Sequence, residues 1–418
     1  MLKKKMLETY FYGRAFVMWA AMSAMVGVVC GLVGGLFAMA VEWATHIRGE
    51  MAFLPWLMPV AGLAIAGLYR LLKLPLSIGT DEIIKTVRTQ EKVPLAMAPA
   101  IFLSTVLTHL TGGSAGREGA ALQLGGSIGA AIGRALPLEK AGEKAENDAL
   151  RILQLCGMAA LFSALFGTPL AATIFVVEII EVGRINERAL LPCMVSALTA
   201  KFVALAIGAP VEAFPLAAGL AEAAAVPLMQ TIVLGIACAL VAILFCSTMH
   251  SASKLFKRLI PNDFLRIVAG AAAVIVLALV LGTQEYRGGG MDVIHRALLG
   301  EAVPAAFLLK IVFTALSLGT GYKGGEIVPS FFIGATLGCT VAGLIGFPPA
   351  LGAAVGIIGM FCGVTNAPLA SIVLSVELFG SEYLLFFGIV AAISYALSGH
   401  ISLYHAQIII DPKMGHRD

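Results

Sequence analysis

Two glutamates stand inside glycine-rich, otherwise apolar sequence: Glu118 ends Gly113-Ser114-Ala115-Gly116-Arg117-Glu118, and Glu326 ends Gly321-Tyr322-Lys323-Gly324-Gly325-Glu326. Runs so rich in glycine do not continue a helix comfortably, while the residues after them can start one. The first N–H groups of a helix have no partner within it and carry the positive end of its dipole, so each start is an anion site. A carboxylate beside such a site imitates an anion when ionised and gives up the amides when protonated, which links proton binding to anion binding. Two plainer readings stay open. Glycines also serve close helix packing, and a glutamate at a helix start gains about 0.3–1 kcal/mol as a simple cap.

The elements that must hold these residues are membrane helices. The chain has 418 residues, 59% of them hydrophobic and 13% charged, against roughly 25% charged in a soluble domain. A helix needs about 20 apolar residues to cross a hydrocarbon core. Apolar runs recur near 15–45, 51–72, 94–111, 149–180, 187–209, 224–250, 264–283, 303–319, 328–348, 350–379 and 383–398. The pattern predicts an all-α polytopic protein among membrane lipids. In hydrocarbon, non-helical backbone survives only where protein buries it or it lines a cavity, so the glycine-rich segments are expected at the centre of the molecule.

Lys3, Lys4, Lys5 and Arg14 precede the first run, which favours a cytoplasmic N-terminus, and no cleavable leader is expected. The seven cysteines sit singly in apolar runs and read as packed thiols. His109 and His400 have no metal-ligand spacing, and no nucleophile–base pair or phosphate loop is present, so neither an enzyme nor a cofactor is expected. A net charge of +3 gives no reason to expect a nucleic-acid partner.

The chain also resembles itself. The two glycine-rich segments lie 208 residues apart, with Gly126 and Gly334 following them. Gly157 and Phe162–Glu178 match Gly356 and Phe361–Glu377, with Pro169-Leu170-Ala171 against Pro368-Leu369-Ala370, at an offset of 199. Duplicated transporter halves commonly meet at a midplane site built from broken helices. The repeats are drawn at about 15–210 and 224–405, between an N-terminal segment 1–14, a linker 211–223 and a tail 406–418. Glu178 and Glu377, each nine residues after its proline, are read as helix-terminal interfacial residues or as groups on a pathway.

Gly116-Arg117-Glu118-Gly119, Gly324-Gly325-Glu326-Ile327-Val328-Pro329 and Ser398-Gly399-His400 with Tyr404 resemble the CLC superfamily of anion channels and anion/proton antiporters. The resemblance spans about 15–410. It implies a homodimer of independent pores, inverted repeats of tilted and broken helices, and both termini cytoplasmic; with only 12 residues after Ala406, the CBS pair of many eukaryotic members is not expected. It implies an anion held around Ile78, Gly79, Gly116, Arg117, Gly325, Ile327, Val328 and the Tyr404 hydroxyl, with Glu118 and Glu326 gating and coupling protons. Arg117 is expected to be held by carbonyls or a carboxylate rather than to ligate directly. Two departures set the branch. Ser77-Ile78-Gly79-Thr80-Asp81 stands where chloride-selective members carry Gly-Ser-Gly-Ile-Pro, and Ile179 stands where chloride antiporters keep an internal proton-transfer glutamate. With Glu326 present, the closest likeness is to bacterial fluoride/proton antiporters of the inner membrane. A passive or proton-coupled chloride pathway on the same fold is the alternative.

Overall fold

A computed structural model describes residues 2–136, 143–217, 219–222 and 224–413. Residues 218 and 223 of the linker and 414–418 of the tail lie outside the described residues, as do the side chains of Lys3, Lys4 and Lys5. Among the described residues eight α-helices precede the linker: α1 (Leu2–Glu50), α2 (Met58–Leu71), α3 (Thr80–Thr89), α4 (Met97–Leu110), α5 (Glu118–Ala135), α6 (Glu143–Phe166), α7 (Pro169–Glu178) and α8 (Leu190–Ala206). Eight follow it: α9 (Ala225–Leu259), α10 (Asp263–Leu281), α11 (Met291–Leu298), α12 (Ala306–Thr320), α13 (Ile327–Ile345), α14 (Pro349–Thr365), α15 (Pro368–Phe379) and α16 (Leu384–Leu397). A two-residue parallel pairing, Glu181–Val182 with Ile408–Ile409, ties the C-terminal tail to the end of α7.

Seven described helices are long and apolar enough to cross a membrane, and six further apolar helices are only 10–17 residues long. At 1.5 Å per residue, the ten residues of α7 reach about 15 Å, half of a hydrocarbon core. These part-spanning helices correct two of the continuous runs read from hydropathy. The run 149–180 breaks at Gly167 (φ +71°) before Pro169, and the run 350–379 breaks at Asn366 (φ +57°) before Pro368. In each case a left-handed residue ends one helix, and proline, which has no N–H to give, starts the next. Hydropathy alone could not register a break that inserts so few polar residues.

Glycine lets the central helices touch backbone to backbone. A Cβ on Gly157 would overlap the Gly125 carbonyl between α5 and α6, and one on Gly356 would overlap the Gly334 carbonyl between α13 and α14. These pairs fix the correspondence of the halves, α5 with α13 and α6 with α14. They also correct the register: Gly125 matches Gly334, an offset of 209 rather than 208. The offset falls to 199 from α6 onward because the stretch from Gly125 to Gly157 is ten residues longer than that from Gly334 to Gly356, a difference shared between the connecting segment and the length of α6.

Glu178 and Glu377 cross between the halves. Glu178 accepts from the Leu369 and Ala370 amides at 3.0 and 2.8 Å, and Glu377 from the Leu170 and Ala171 amides at 3.1 and 2.7 Å. Each carboxylate at the end of α7 or α15 therefore caps the start of the other helix. The interfacial reading missed this partner because it lies about 200 residues away in sequence.

Candidate functional site

The two glycine-rich segments meet. Gly116 N–H donates to the Gly325 carbonyl and Gly325 N–H to the Gly116 carbonyl, both at 2.7 Å. Glycine is required here by proximity. A Cβ on Gly325 would lie 2.9 Å from Gly119 Cα, and one on Gly324 would lie 2.8 Å from the Gly116 oxygen. The antiparallel bridge sets the starts of α5 and α13 side by side. The first-turn amides of Gly119 and Ala120 in α5, and of Ile327 and Val328 in α13, have no acceptor within their helices. These ends are buried, so their partial positive charges are only weakly screened.

A third helix start joins them. The peptide links before α3 are fixed by Lys323, whose Nζ donates to the carbonyls of Leu76 at 2.7 Å and Ile78 at 2.9 Å. Because N–H and C=O of a peptide unit point in opposite directions, anchoring the Ile78 carbonyl aims the Gly79 amide away from the lysine. Gln123 Nε2 donates to Thr80 Oγ1 at 3.2 Å, and Thr80 Oγ1 to the Gly119 carbonyl at 3.3 Å, which ties the start of α3 to that of α5. Similar cationic braces hold the other irregular segments: Arg287 donates to the carbonyls of Thr111, Gly112 and Pro55, and Lys310 to those of Tyr286 and Gly288. Every such bond satisfies a carbonyl that the membrane could not.

The glutamates occupy inequivalent positions. Glu118 is the first residue of α5, whereas Glu326 is the N-cap of α13 and corresponds to Arg117 in the other half. Both carboxylates are set against the helix-start backbone: Glu118 Oε2 accepts from Arg117 N–H at 2.9 Å, and Glu326 Oε2 lies 3.2 Å from where a Cβ on Gly119 would sit. They face different spaces. Glu118 lines a cavity of about 890 Å³ with Gly116, Arg117 and Val328. Glu326 lines one of about 140 Å³ with Ile78, Gly79, Thr80, Gln123 and Lys323.

Tyr404 lies in the segment after α16, where Leu403 N–H donates to the Val364 carbonyl at 2.8 Å and Ala406 N–H to Asp81 Oδ1 at 3.0 Å. Its hydroxyl is buried without a hydrogen-bond partner among the described residues. A buried hydroxyl without a protein partner is costly. Arg117 is committed to carboxylates, with Nη2 3.0 Å from Glu212 Oε1 and Nε 3.7 Å from Glu118 Oε1.

The ten residues singled out in the sequence thus fall around the three helix starts and the Tyr404 segment. Lys323, Glu212, Thr80 and Gln123 were missed. Lys323 stood in a quoted motif but had no visible partner, because its carbonyls are about 245 residues away. Glu212 lay in a linker without periodicity. His109 Nδ1 lies 2.9 Å from the Thr105 carbonyl one turn earlier in α4. All seven cysteines are buried and unbridged.

Known proteins share this chain's sequence pattern and fold. The profile of the family described as voltage gated chloride channel matches residues 75–399. A "Chloride/fluoride channel protein" of Pseudomonas syringae pv. tomato is 35% identical over 405 residues, which is 95% of this chain and 87% of that protein. An "H(+)/Cl(-) exchange transporter ClcA" of Salmonella newport is 27% identical over 85% of this chain and 80% of its own. Among solved structures, a CLC-type fluoride/proton antiporter superposes with a TM-score of 0.88 at 31% identity, covering 94% of this chain and 98% of that one. A slow cyanobacterial Cl−/H+ antiporter superposes at 0.74 with 20% identity, over 91% and 94% of the two chains, a likeness of fold. With the paired helix starts at its centre, this chain belongs to the CLC family of anion channels and anion/proton transporters.

Proposed function

We propose that the protein exports fluoride in exchange for protons, with Glu118 and Glu326 as its proton-coupled gates. The observation that carries the reading is the pair of carboxylates at two adjoining helix starts, each opening on its own cavity. Fluoride is small and tightly hydrated, so a selective site must replace its water with strong donors. The amides of Gly79, Gly119, Ala120, Ile327 and Val328 and the unpartnered Tyr404 hydroxyl supply donors without a full charge, and partial charges let the ion leave again.

The ionised Glu118 carboxylate competes with fluoride for these donors. Protonation from the larger cavity removes that competition, and the neutral side chain withdraws while fluoride enters. Glu326 does the same at the boundary of the smaller cavity, which Lys323 and Gly79 also line. Passage of fluoride one way then requires each carboxylate to take up and release a proton in turn, which moves protons the other way. Ile78, Gly116, Arg117 and Gly325 shape this site rather than supplying charge to the ion. The protein is expected to act as a homodimer in a bacterial inner membrane with both termini cytoplasmic, its repeats divided at about 15–210 and 224–405.

Fluxes from proteoliposomes test the proposal. Fluoride leaving against its own gradient when an inward proton gradient is imposed, with protons entering in fixed ratio and chloride excluded, is the expected result. Fluoride movement that carries no protons, or chloride moving as readily, refutes it. A current that reverses at the chloride equilibrium potential would establish a chloride channel instead.

A further inference from the structure

Arg117 is a cation between two carboxylates: its Nη2 is 3.0 Å from Glu212 Oε1, and its Nε is 3.7 Å from Glu118 Oε1. The Arg117 and Glu118 side chains are almost wholly buried, at 7% and 1% exposed, while Glu212 is 25% exposed and lines the same large cavity. Glu212 comes from neither helix start. It lies on the segment that joins the two halves, just after Pro210, and the next residue is anchored where His295 Nε2 meets the Ala213 carbonyl at 2.9 Å.

Most of the other charged groups around this cavity are already engaged. Arg48 donates to the His109 carbonyl, Arg287 to the carbonyls of Thr111, Gly112 and Pro55, and Arg296 pairs with Glu285 at 2.5 Å. His46 pairs with Glu50, and Asp292 and Glu42 line the cavity without an ion pair to Arg117. Among the described residues, Arg117 therefore has two ion-pair partners, Glu118 and Glu212.

We infer that Glu212 is a positioning residue: it draws Arg117 away from Glu118 and so sets how readily the Glu118 carboxylate yields its place at the α5 amides. The inference rests on the gating role of Glu118 proposed above. Its sign follows from electrostatics. An unopposed Arg117 would favour ionised Glu118, holding it in the site, and Glu212 weakens that hold by taking the shorter contact. Its own negative charge acts in the same direction, because like charges nearby disfavour a second carboxylate. Glu212 thus lets Glu118 take up its proton at a less acidic pH than Arg117 alone would allow.

The test compares the full-length protein with Glu212→Gln and Glu212→Asp in proteoliposomes, reading anion flux against pH on the side of the larger cavity. For Glu212→Gln the profile is expected to move toward acid by about one pH unit, with the apparent affinity for fluoride within about twofold. Glu212→Asp should restore most of the shift, since it keeps the charge. In a Glu118→Gln background, adding Glu212→Gln should change nothing in whatever flux remains. A Glu212→Gln profile that superimposes on the parent, or falls evenly at every pH, overturns the inference. So does a shift that persists without Glu118. Because the readout is the pH dependence of anion flux, it can be taken with fluoride or chloride. An uncoupled or chloride-conducting parent would refute the fluoride exchange proposal while the shift still decides the role of Glu212.

Discussion

Gly325→Ala is the sharpest probe of the paired helix starts. The added Cβ would stand 2.9 Å from Gly119 Cα and 3.2 Å from Glu118 N, and closer still to Gly119 N. All three are backbone atoms of the opposing helix start, so no side chain can rotate away, and the two segments must part by about 1 Å to reach an ordinary van der Waals contact. The two 2.7 Å bonds of the bridge cannot survive that separation. At about 0.5–1.5 kcal/mol each, their loss amounts to about 1–3 kcal/mol, and a displacement of this size at a reacting centre costs about a hundredfold in rate. Gly343→Ala is the control. Gly343 lies in α13, where an added Cβ meets nothing within 4 Å, and alanine improves helix propensity by about 1 kcal/mol. Fluoride efflux per reconstituted protein should fall ten- to a hundredfold in Gly325→Ala and stay at the parent level in Gly343→Ala. Equal turnover in both, from protein that elutes as a single species, would show that contact between the two starts does not build the site.

Three further outcomes are expected. Glu118→Gln should abolish coupled exchange, because a neutral amide neither imitates the anion nor carries the proton, and normal turnover measured with paired fluoride and pH electrodes would count against the gate. Glu326→Gln should impair fluoride exchange while leaving expression and detergent stability near the parent's; a variant that only fails to accumulate would favour a capping role. Glu377→Ala, which strips the cap from the Leu170 and Ala171 amides, should lower stability by about 0.5–2 kcal/mol, seen as an earlier unfolding transition in detergent, with the proton-to-fluoride ratio unchanged.

The membrane class, the duplication and the two helix starts were legible because each leaves a local mark: sustained hydropathy, a repeated glycine pattern, a carboxylate where hydrocarbon disfavours one. The breaks before Pro169 and Pro368 were hidden inside continuous apolar runs, although Gly167 and Asn366 stand at the required positions. The short helices α3 and α11 carry polar residues and gave no hydropathy signal. Least legible were bonds whose partners lie in the other half, such as Glu178 to Ala370, or Lys323 to Ile78. These depend on a two-fold relation that a linear pattern announces without saying which groups it brings together.

The one-residue register error matters most for mechanism. Aligned glutamate to glutamate, the halves appear to offer two equivalent carboxylates, and an equivalent pair related by a two-fold axis would behave as one gate used twice. The bridge instead pairs Gly116 with Gly325, so Glu326 corresponds to Arg117 and Glu118 to Ile327. A helix rotates about 100° per residue, so this single step turns the two carboxylates toward different cavities, one beside Arg117 and Glu212, the other beside Lys323 and Gly79. If both carboxylates gate as proposed, two gates in unlike surroundings need not open together. An exchanger requires that, since a continuous open path between the cavities would let fluoride run down its gradient without a proton.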